Sequence, residues 1–457
     1  MGLDEIADGH WLTEPPPSPI FGAAIDSRKI LPGQLFVAIR TDHDDGHRHL
    51  EMALRAGASA ALVSSPQPHI PIPQLCVANP VIALRRIAAA HRSSFDCPVI
   101  AVAGSYGKTT AKELMATLLG RERCCATEDN LNNTLGVPLT LLNIRPDVHR
   151  HAVIEVGISE PGEMEIIAPV VRPRHVIFTG ISHKHEKFFS SQRQLLEEKL
   201  HIAAWVNELD GTFVTPASMA GDPALLPLRS RMVCTMDRSR PWPISPAIPH
   251  FAFFRKNCSI AIRQPGGSTL RHFHLPRPSD GFAQSFALCY AMATLLGISD
   301  DTVAERLLLW RWPRLRGQIL CDPVKGCSYY LDCYNSDVCT LEDASQSFAR
   351  MFPKSPRLLV IGAMAELGNA SDALHWEAGM SLAFLPSDKF FFIGNEVLPL
   401  RSALLARHVP RTDAIFFDSK EELGQALASF RGAVFIKGSR CHALETLIAL
   451  DRCQDLG

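Results

Sequence analysis

The chain lacks three things that would point away from an ordinary globular protein. No stretch of its 457 residues approaches the run of apolar residues needed to span a bilayer, so membrane insertion is not expected. Its 46 Lys and Arg against 47 Asp and Glu leave a net charge of −1, which gives no reason to expect nucleic acid or another polyanion as partner. Thirteen cysteines include no C-x-x-C pair, and Cys321 to Cys327, like Cys333 to Cys339, are six apart, a spacing that does not suit zinc. They read as reduced thiols of a reducing compartment. The opening Met-Gly-Leu-Asp-Glu-Ile-Ala-Asp has neither the basic start nor the apolar core of a signal peptide, and a cytoplasmic location is expected. No short-period repeat or low-complexity tract is present.

What is present is a soluble composition, 46% apolar and 20% charged, on a chain too long for one core. The expected fold class is α/β in three domains. Residues 1–96 alternate short strands and helices, with Leu35–Ile39 and Ala60–Val63 as strands and a helix from Val81 to Ser94. Residues 97–313 begin after Pro98 with the apolar strand Val99–Ala103, followed by strands Ala152–Val156 and His175–Thr179. Such near-continuously apolar strands suit a mostly parallel sheet covered on both faces. Arg238 to Pro249 reads as a loop, and Ala283 to Leu296 as a buried helix. Residues 314–457 form a third α/β region, with strands at Ser328–Leu331, Leu358–Ile361, Lys389–Ile393 and Val434–Ile436.

Between the strand at Val99–Ala103 and a helix from Lys108 lies Gly104-Ser105-Tyr106-Gly107-Lys108-Thr109-Thr110. A glycine-rich turn from strand to helix aims backbone N–H groups and the positive helix end at one point, where phosphate oxygens can sit. Lys108 adds a cation and Thr109 a hydroxyl suited to a phosphate-bound Mg²⁺. The turn is a compressed form, since Val102 stands where the long Walker pattern has its first glycine. An ordinary strand-turn-helix is the alternative.

Other residues carry chemistry less distinctly. Glu155 closes its strand, as a Mg²⁺ ligand or as a solvent-exposed carboxylate. His185 follows the strand ending at Thr179 and could complete a metal shell or cap a surface turn, and His183 is locally indistinguishable from it. Asn130, Asn132 and Asn133 precede Gly136-Val137-Pro138 and suit either substrate contact or a plain turn. Lys199, beside Glu197 and Glu198, reads by itself as part of a solvated helix face.

Together, in chain order, these elements resemble the ATP-dependent Mur ligases of peptidoglycan synthesis. The likeness is greatest to the branch joining D-alanyl-D-alanine to UDP-N-acetylmuramoyl tripeptide. The resemblance implies a small N-terminal UDP-binding domain, a central P-loop-type ATPase domain and a C-terminal Rossmann-like domain that closes over ATP and dipeptide. It assigns UDP-substrate contacts to Asp26-Ser27-Arg28 and Asp45-Gly46-His47, and ATP contacts to Gly104, Ser105, Gly107, Lys108, Thr109, Thr110, Arg316, Asp332 and Asn335. Asn130, Asn132 and Asn133 would touch substrate, and Lys437 and Arg440 would hold the dipeptide carboxylate. Thr109, Glu155 and His185 would ligate Mg²⁺, the register choosing His185 over His183. Lys199 falls where the family carries a lysine that takes up CO₂ as a carbamate, which would ligate the same metal. Lys108, Lys199 and His185 would be the catalytic set, in a monomer.

The chain departs from the family pattern in four places. Gly180 stands where Asn is usual, Asp280-Gly281-Phe282-Ala283-Gln284-Ser285 replaces the asparagine-bearing adenine motif, Ala363 replaces Asp, and Ser336-Asp337-Val338 replaces Asn-Pro. The Asp-Asn-Pro-Arg motif of the branch that adds a diamino acid is missing. The rival expectations are another amide ligase of the superfamily, of folylpolyglutamate type, and a non-catalytic scaffold descended from a ligase.

Overall fold

The structure, a computed structural model, describes residues 2–182 and 188–456. Three sheets follow one another along the chain and define an N-terminal, a central and a C-terminal unit. The first orders its strands Gly9–Trp11, Gln74–Val77, Ala60–Val63, Leu35–Val37 and Ala23–Ala24. The third runs Ala414–Phe417, Lys389–Ile393, Arg357–Gly362, Gly432–Lys437, Cys327–Asp332, Gln318–Asp322 and Gln454–Asp455. Helix Pro80–Ser93 joins the first two units: Ala83 and Leu84 sit in the N-terminal core, while Ala88 belongs to the central one.

The central sheet has nine strands, with Val99–Ala103 between His175–Phe178 and His151–Glu155. All five residues of Val99–Ala103 are buried, which explains its unbroken apolar sequence. The crossovers reverse direction at this strand, and the crevice beyond such a reversal is where open α/β sheets take ligands. The sequence reading missed the strands beyond His175–Phe178, among them the buried Thr212–Pro216 and Met232–Asp237. Strands His250–Lys256, Ser259–Arg263 and Leu270–His274 continue the sheet, with the last two pairing antiparallel. Their exposed alternate positions break up the apolar run that marks the inner strands.

Two helices set the site's walls. Lys108–Leu119 packs on Asp280–Leu295, whose eleven buried residues leave it almost without a polar face. The start of Asp280–Leu295 is capped twice. Ser279 Oγ accepts from Phe282 N at 2.9 Å. From the C-terminal unit, Asp343 accepts from Ser279 Oγ (2.8 Å), Asp280 N (2.7 Å) and Gly281 N (3.0 Å). Arg350, on the same helix as Asp343, donates to Asp280 Oδ1 at 2.9 Å and to Pro278 O at 3.2 Å. The central and C-terminal units are thus joined beside the crevice by charge-assisted hydrogen bonds.

Candidate functional site

The phosphate-type turn keeps its shape through close backbone approaches. Gly104 has φ +130°, and a Cβ there would stand 2.2 Å from Thr179 Oγ1, so only glycine fits. Ser105 N donates to Gly180 O at 2.8 Å, and Thr179 Oγ1 donates to Tyr106 O at 2.5 Å. These bonds fasten the turn to the end of the neighbouring strand. Gly107, at φ +69°, opens helix Lys108–Leu119, whose first amides have no acceptor within the helix. Lys108 Nζ folds back to Gly104 O at 2.9 Å. Burial pulls its pKa below the ordinary lysine value, and the Glu155 charge opposes that shift.

Glu155 ends its strand beside the turn at 1% exposure, so the solvent-exposed alternative is wrong. Thr127 Oγ1 accepts from its backbone N–H at 2.9 Å. Its Oε1 accepts from Thr109 Oγ1 at 3.1 Å and from Asn132 Nδ2 at 2.8 Å. Among the described residues its buried Oε2 has no hydrogen-bond partner. A buried carboxylate oxygen left open is costly in water-excluded protein. Beside a phosphate cradle, an oxygen-seeking dication would relieve that cost, so the residues present fit Mg²⁺.

Lys199 corrects the reading from its neighbours. It is 1% exposed, not solvated. Helix Gln192–Leu200 turns Leu195 and Lys199, one turn apart, inward. Glu197 faces out to Arg193, and Glu198 caps the helix at Glu163–Val171 by accepting from Gly162 N and Met164 N. His185, together with His183, lies outside the described residues.

A cavity of about 980 Å³ opens between the central and C-terminal units. Ser105, Gly107, Lys108, Thr109, Thr110, the three asparagines and Glu155 line one wall. Arg316, Asp332, Asn335, Lys437 and Arg440 line the other. Asn133 has a local task too, since its Oδ1 accepts from Leu135 N and Gly136 N at 3.2 and 2.8 Å. Arg316 stacks on Tyr334, 4.1 Å from the ring centroid, which holds the guanidinium flat and leaves its N–H edge available.

Lys437 departs from its expected role as a clamp for the dipeptide carboxylate. At 1% exposure, its Nζ donates to Asp332 Oδ2 (2.7 Å), Asn335 O (3.0 Å) and Asp332 O (3.4 Å). Strand register places Asp332 directly beside it, so three donors are already committed. Arg440 is half exposed and pairs with Glu445 at 2.6 Å.

The residues assigned to the UDP end belong to the N-terminal unit and do not line this cavity. Arg28 is exposed and pairs with Asp26 at 2.8 Å, and that guanidinium holds the Asp26 carboxyl at about 2. Ser27 Oγ lies 3.2 Å from Met52 Sδ. His47 is buried, against expectation for a substrate contact. Its Nδ1 meets Asp45 Oδ1 at 2.6 Å, and its Nε2 accepts from Ser64 N and Ser65 N at 3.1 and 3.2 Å. Both ring nitrogens are therefore spent on the fold. The His47 ring holds the Asp45 carboxyl well below the usual carboxylate range. Gly46 N donates to Ile39 O, and a Cβ on Gly46 would stand 2.8 Å from Ile39 N.

Three residues of the cavity were not singled out from sequence. They are Tyr106, which the sequence places in the turn, Asp343 and Glu366. Glu366 carries φ +65°, in the left-handed region that side-chain-bearing residues adopt uncommonly. Burial pushes the Tyr106 phenol up to about 12, with Cys339 and Asp337 of the C-terminal unit adding to the shift.

A phosphate cradle, an open buried carboxylate and a cationic opposite wall, set between two α/β units, define a nucleotide-dependent enzyme. The Mur ligase middle-domain profile matches residues 102–224, and the Mur ligase glutamate-ligase-domain profile matches residues 315–440, together just over half of the chain. The UDP-N-acetylmuramoyl-tripeptide–D-alanyl-D-alanine ligase of Escherichia coli is 28% identical over 448 residues, covering 93% of this chain and 92% of that protein. Its Bacillus subtilis counterpart is 26% identical, with coverage of 94% and 92%. Among solved structures, MurF from Acinetobacter baumannii superposes with a TM-score of 0.77 at 24% identity, covering 97% and 96%. MurF from Thermotoga maritima in complex with ADP gives 0.73 at 22% identity, covering 94% and 96%. The chain belongs to the Mur ligase family and is an ATP-dependent ligase.

Proposed function

We propose that this chain joins D-alanyl-D-alanine to UDP-N-acetylmuramoyl tripeptide, in cytoplasmic peptidoglycan precursor synthesis. A carboxylate and an amine do not condense in water, because the carboxylate oxygen is a poor leaving group. ATP overcomes this: the tripeptide carboxylate attacks the γ-phosphorus, ADP leaves, and an acyl phosphate forms. The dipeptide amine attacks the acyl carbon, and the tetrahedral adduct collapses with loss of phosphate and the amine proton. The protein's share is positioning and charge neutralisation.

Lys108 would swing from Gly104 O to the phosphates, and Arg316 would meet them from the opposite wall. Mg²⁺, held by Glu155, Thr109 and a carbamoylated Lys199 with His185, would neutralise phosphate charge. Arg440 is the better remaining candidate for the dipeptide carboxylate, and Lys437 keeps Asp332 and the Asn335 loop in place. The UDP end falls to the N-terminal unit, with Arg28 the most accessible donor there.

The observation that carries the reading is one cavity holding Lys108 and Glu155 on one wall and Arg316 on the other. Near-full-length likeness to ligases of this specificity supports it over the folylpolyglutamate-type rival. A scaffold would have no need of the open Glu155 oxygen. Phosphate release from ATP should require UDP-N-acetylmuramoyl tripeptide and D-alanyl-D-alanine together, each omitted in turn. Release that ignores either substrate would sink the assignment. No helix among the described residues is long and apolar enough to cross a membrane.

A further inference from the structure

We propose that the Tyr106 hydroxyl contacts the terminal phosphoryl group of the nucleotide, making Tyr106 a specificity residue of this ligase. The inference rests on the ligase reading and adds a residue to it.

The backbone of Tyr106 is fixed: Thr179 Oγ1 donates to its carbonyl, and the preceding Ser105 N–H is bound to Gly180 O. Its side chain lies over Gly180. A Cβ on Gly180 would stand 2.6 Å from the phenol oxygen and 3.0 Å from the ring carbon bearing it. Gly180 also has φ +128°, which side-chain-bearing residues rarely adopt. The two positions are matched. Any polar group needed above residue 180 must come from the turn, and Tyr106 brings one.

Packing alone does not account for a tyrosine there. Phenylalanine would fill the same volume without a hydroxyl to desolvate. Among the described residues that hydroxyl has no hydrogen-bond partner. The side chain lines the cavity with Lys108, Thr109 and Glu155, opposite Asp337 and Cys339 of the C-terminal unit. The free amides opening helix Lys108–Leu119 suit the inner phosphates. Tyr106 precedes them, on the side bounded by the Thr179–Gly180 strand end and the C-terminal unit. An acceptor has to reach the phosphates through the cavity between the two units, and this side of the turn faces that cavity.

The test is calorimetric titration of wild type and Tyr106→Phe with ADP and with a non-hydrolysable ATP analogue, both with Mg²⁺. The phenylalanine variant should melt as wild type does and bind ADP within twofold. Its affinity for the analogue should fall roughly tenfold, as expected for loss of one hydrogen bond to a charged acceptor. In turnover, kcat should fall while KM for the tripeptide substrate holds. Equal binding of both nucleotides by the two proteins, or an equal loss for both, would overturn the assignment. Wild type that binds neither nucleotide would instead remove the ligase reading beneath it.

Discussion

The turn at Asp45-Gly46-His47 and the turn at Gly104–Thr110 are both short, polar and built on a glycine, yet their polar atoms end differently. In the first, each functional atom meets another part of the same unit: Asp45 holds His47 and Arg40, and His47 accepts from two backbone amides. Around the second, Glu155 Oε2 and Ser105 Oγ are buried without partners among the described residues, and the first amides of helix Lys108–Leu119 have no acceptor within the helix. A closed network of this kind holds a fold together. An open one at the mouth of a cavity is strained until something binds. Sequence motifs of equal sharpness can therefore mark opposite kinds of residue.

Substitutions on the two sides should separate cleanly. Glu155→Ala should lower turnover by roughly 10³-fold while the melting temperature holds, because it removes an unsatisfied oxygen along with a ligand. If that variant instead unfolds with turnover per folded molecule unchanged, Glu155 belongs with the closed network. Lys199→Ala should cost roughly 10²-fold in turnover, and short-chain carboxylic acids should restore part of it by replacing the carbamate. A fully active variant would take Lys199 out of the reaction. His47→Ala should reverse the pattern, losing about 2–4 kcal/mol of stability to chemical denaturation by stranding Asp45 and two amides. ADP binding to the folded fraction should be untouched, and a weakened ADP affinity would break the contrast.

A fourth case sharpens what an unpartnered atom means. His175 Nδ1 is buried at the start of its strand without a partner among the described residues, and burial pulls its pKa from 6.5 to about 4. The unfolded chain binds this proton more readily than the folded one. Stability is therefore present above pH 6.5 and drains as pH falls toward 4, by about 2 kcal/mol between pH 7 and 5. His175→Gln should flatten that slope in denaturant titrations at the two pH values. An unchanged slope would show that the ring is already solvated. His175 sits at the sheet end away from the cavity, so its cost falls on stability alone.

The buried inner strand Val99–Ala103, its two neighbours and the phosphate cradle were legible because their causes are local. Buried parallel strands must be continuously apolar, and a strand-to-helix turn this tight must use glycine. The three antiparallel edge strands from His250 were not, since half-exposed strands dilute the apolar signal. Lys199 misled for a related reason: charged neighbours suggested a wet face, but Glu197 and Glu198 point elsewhere. For Lys437 and His47 the resemblance supplied a role but not the partners that the fold gives their polar atoms, since neither motif nor spacing tells whether a donor is already spent. Asp343 left no local signal at all. Its partners lie more than sixty residues away in the chain.

Asp343 also bears on how far these units are separable. The helix at Asp280–Leu295 carries the hydrophobic backing of the phosphate turn, yet two of its opening amides are completed by a residue from the next unit. The boundary near residue 313 cuts the chain, but it does not divide the parts. A fragment ending there would carry a frayed helix start behind its own turn, and a graft of a foreign C-terminal unit would need a carboxylate at the same place. The central and C-terminal units have to be inherited together.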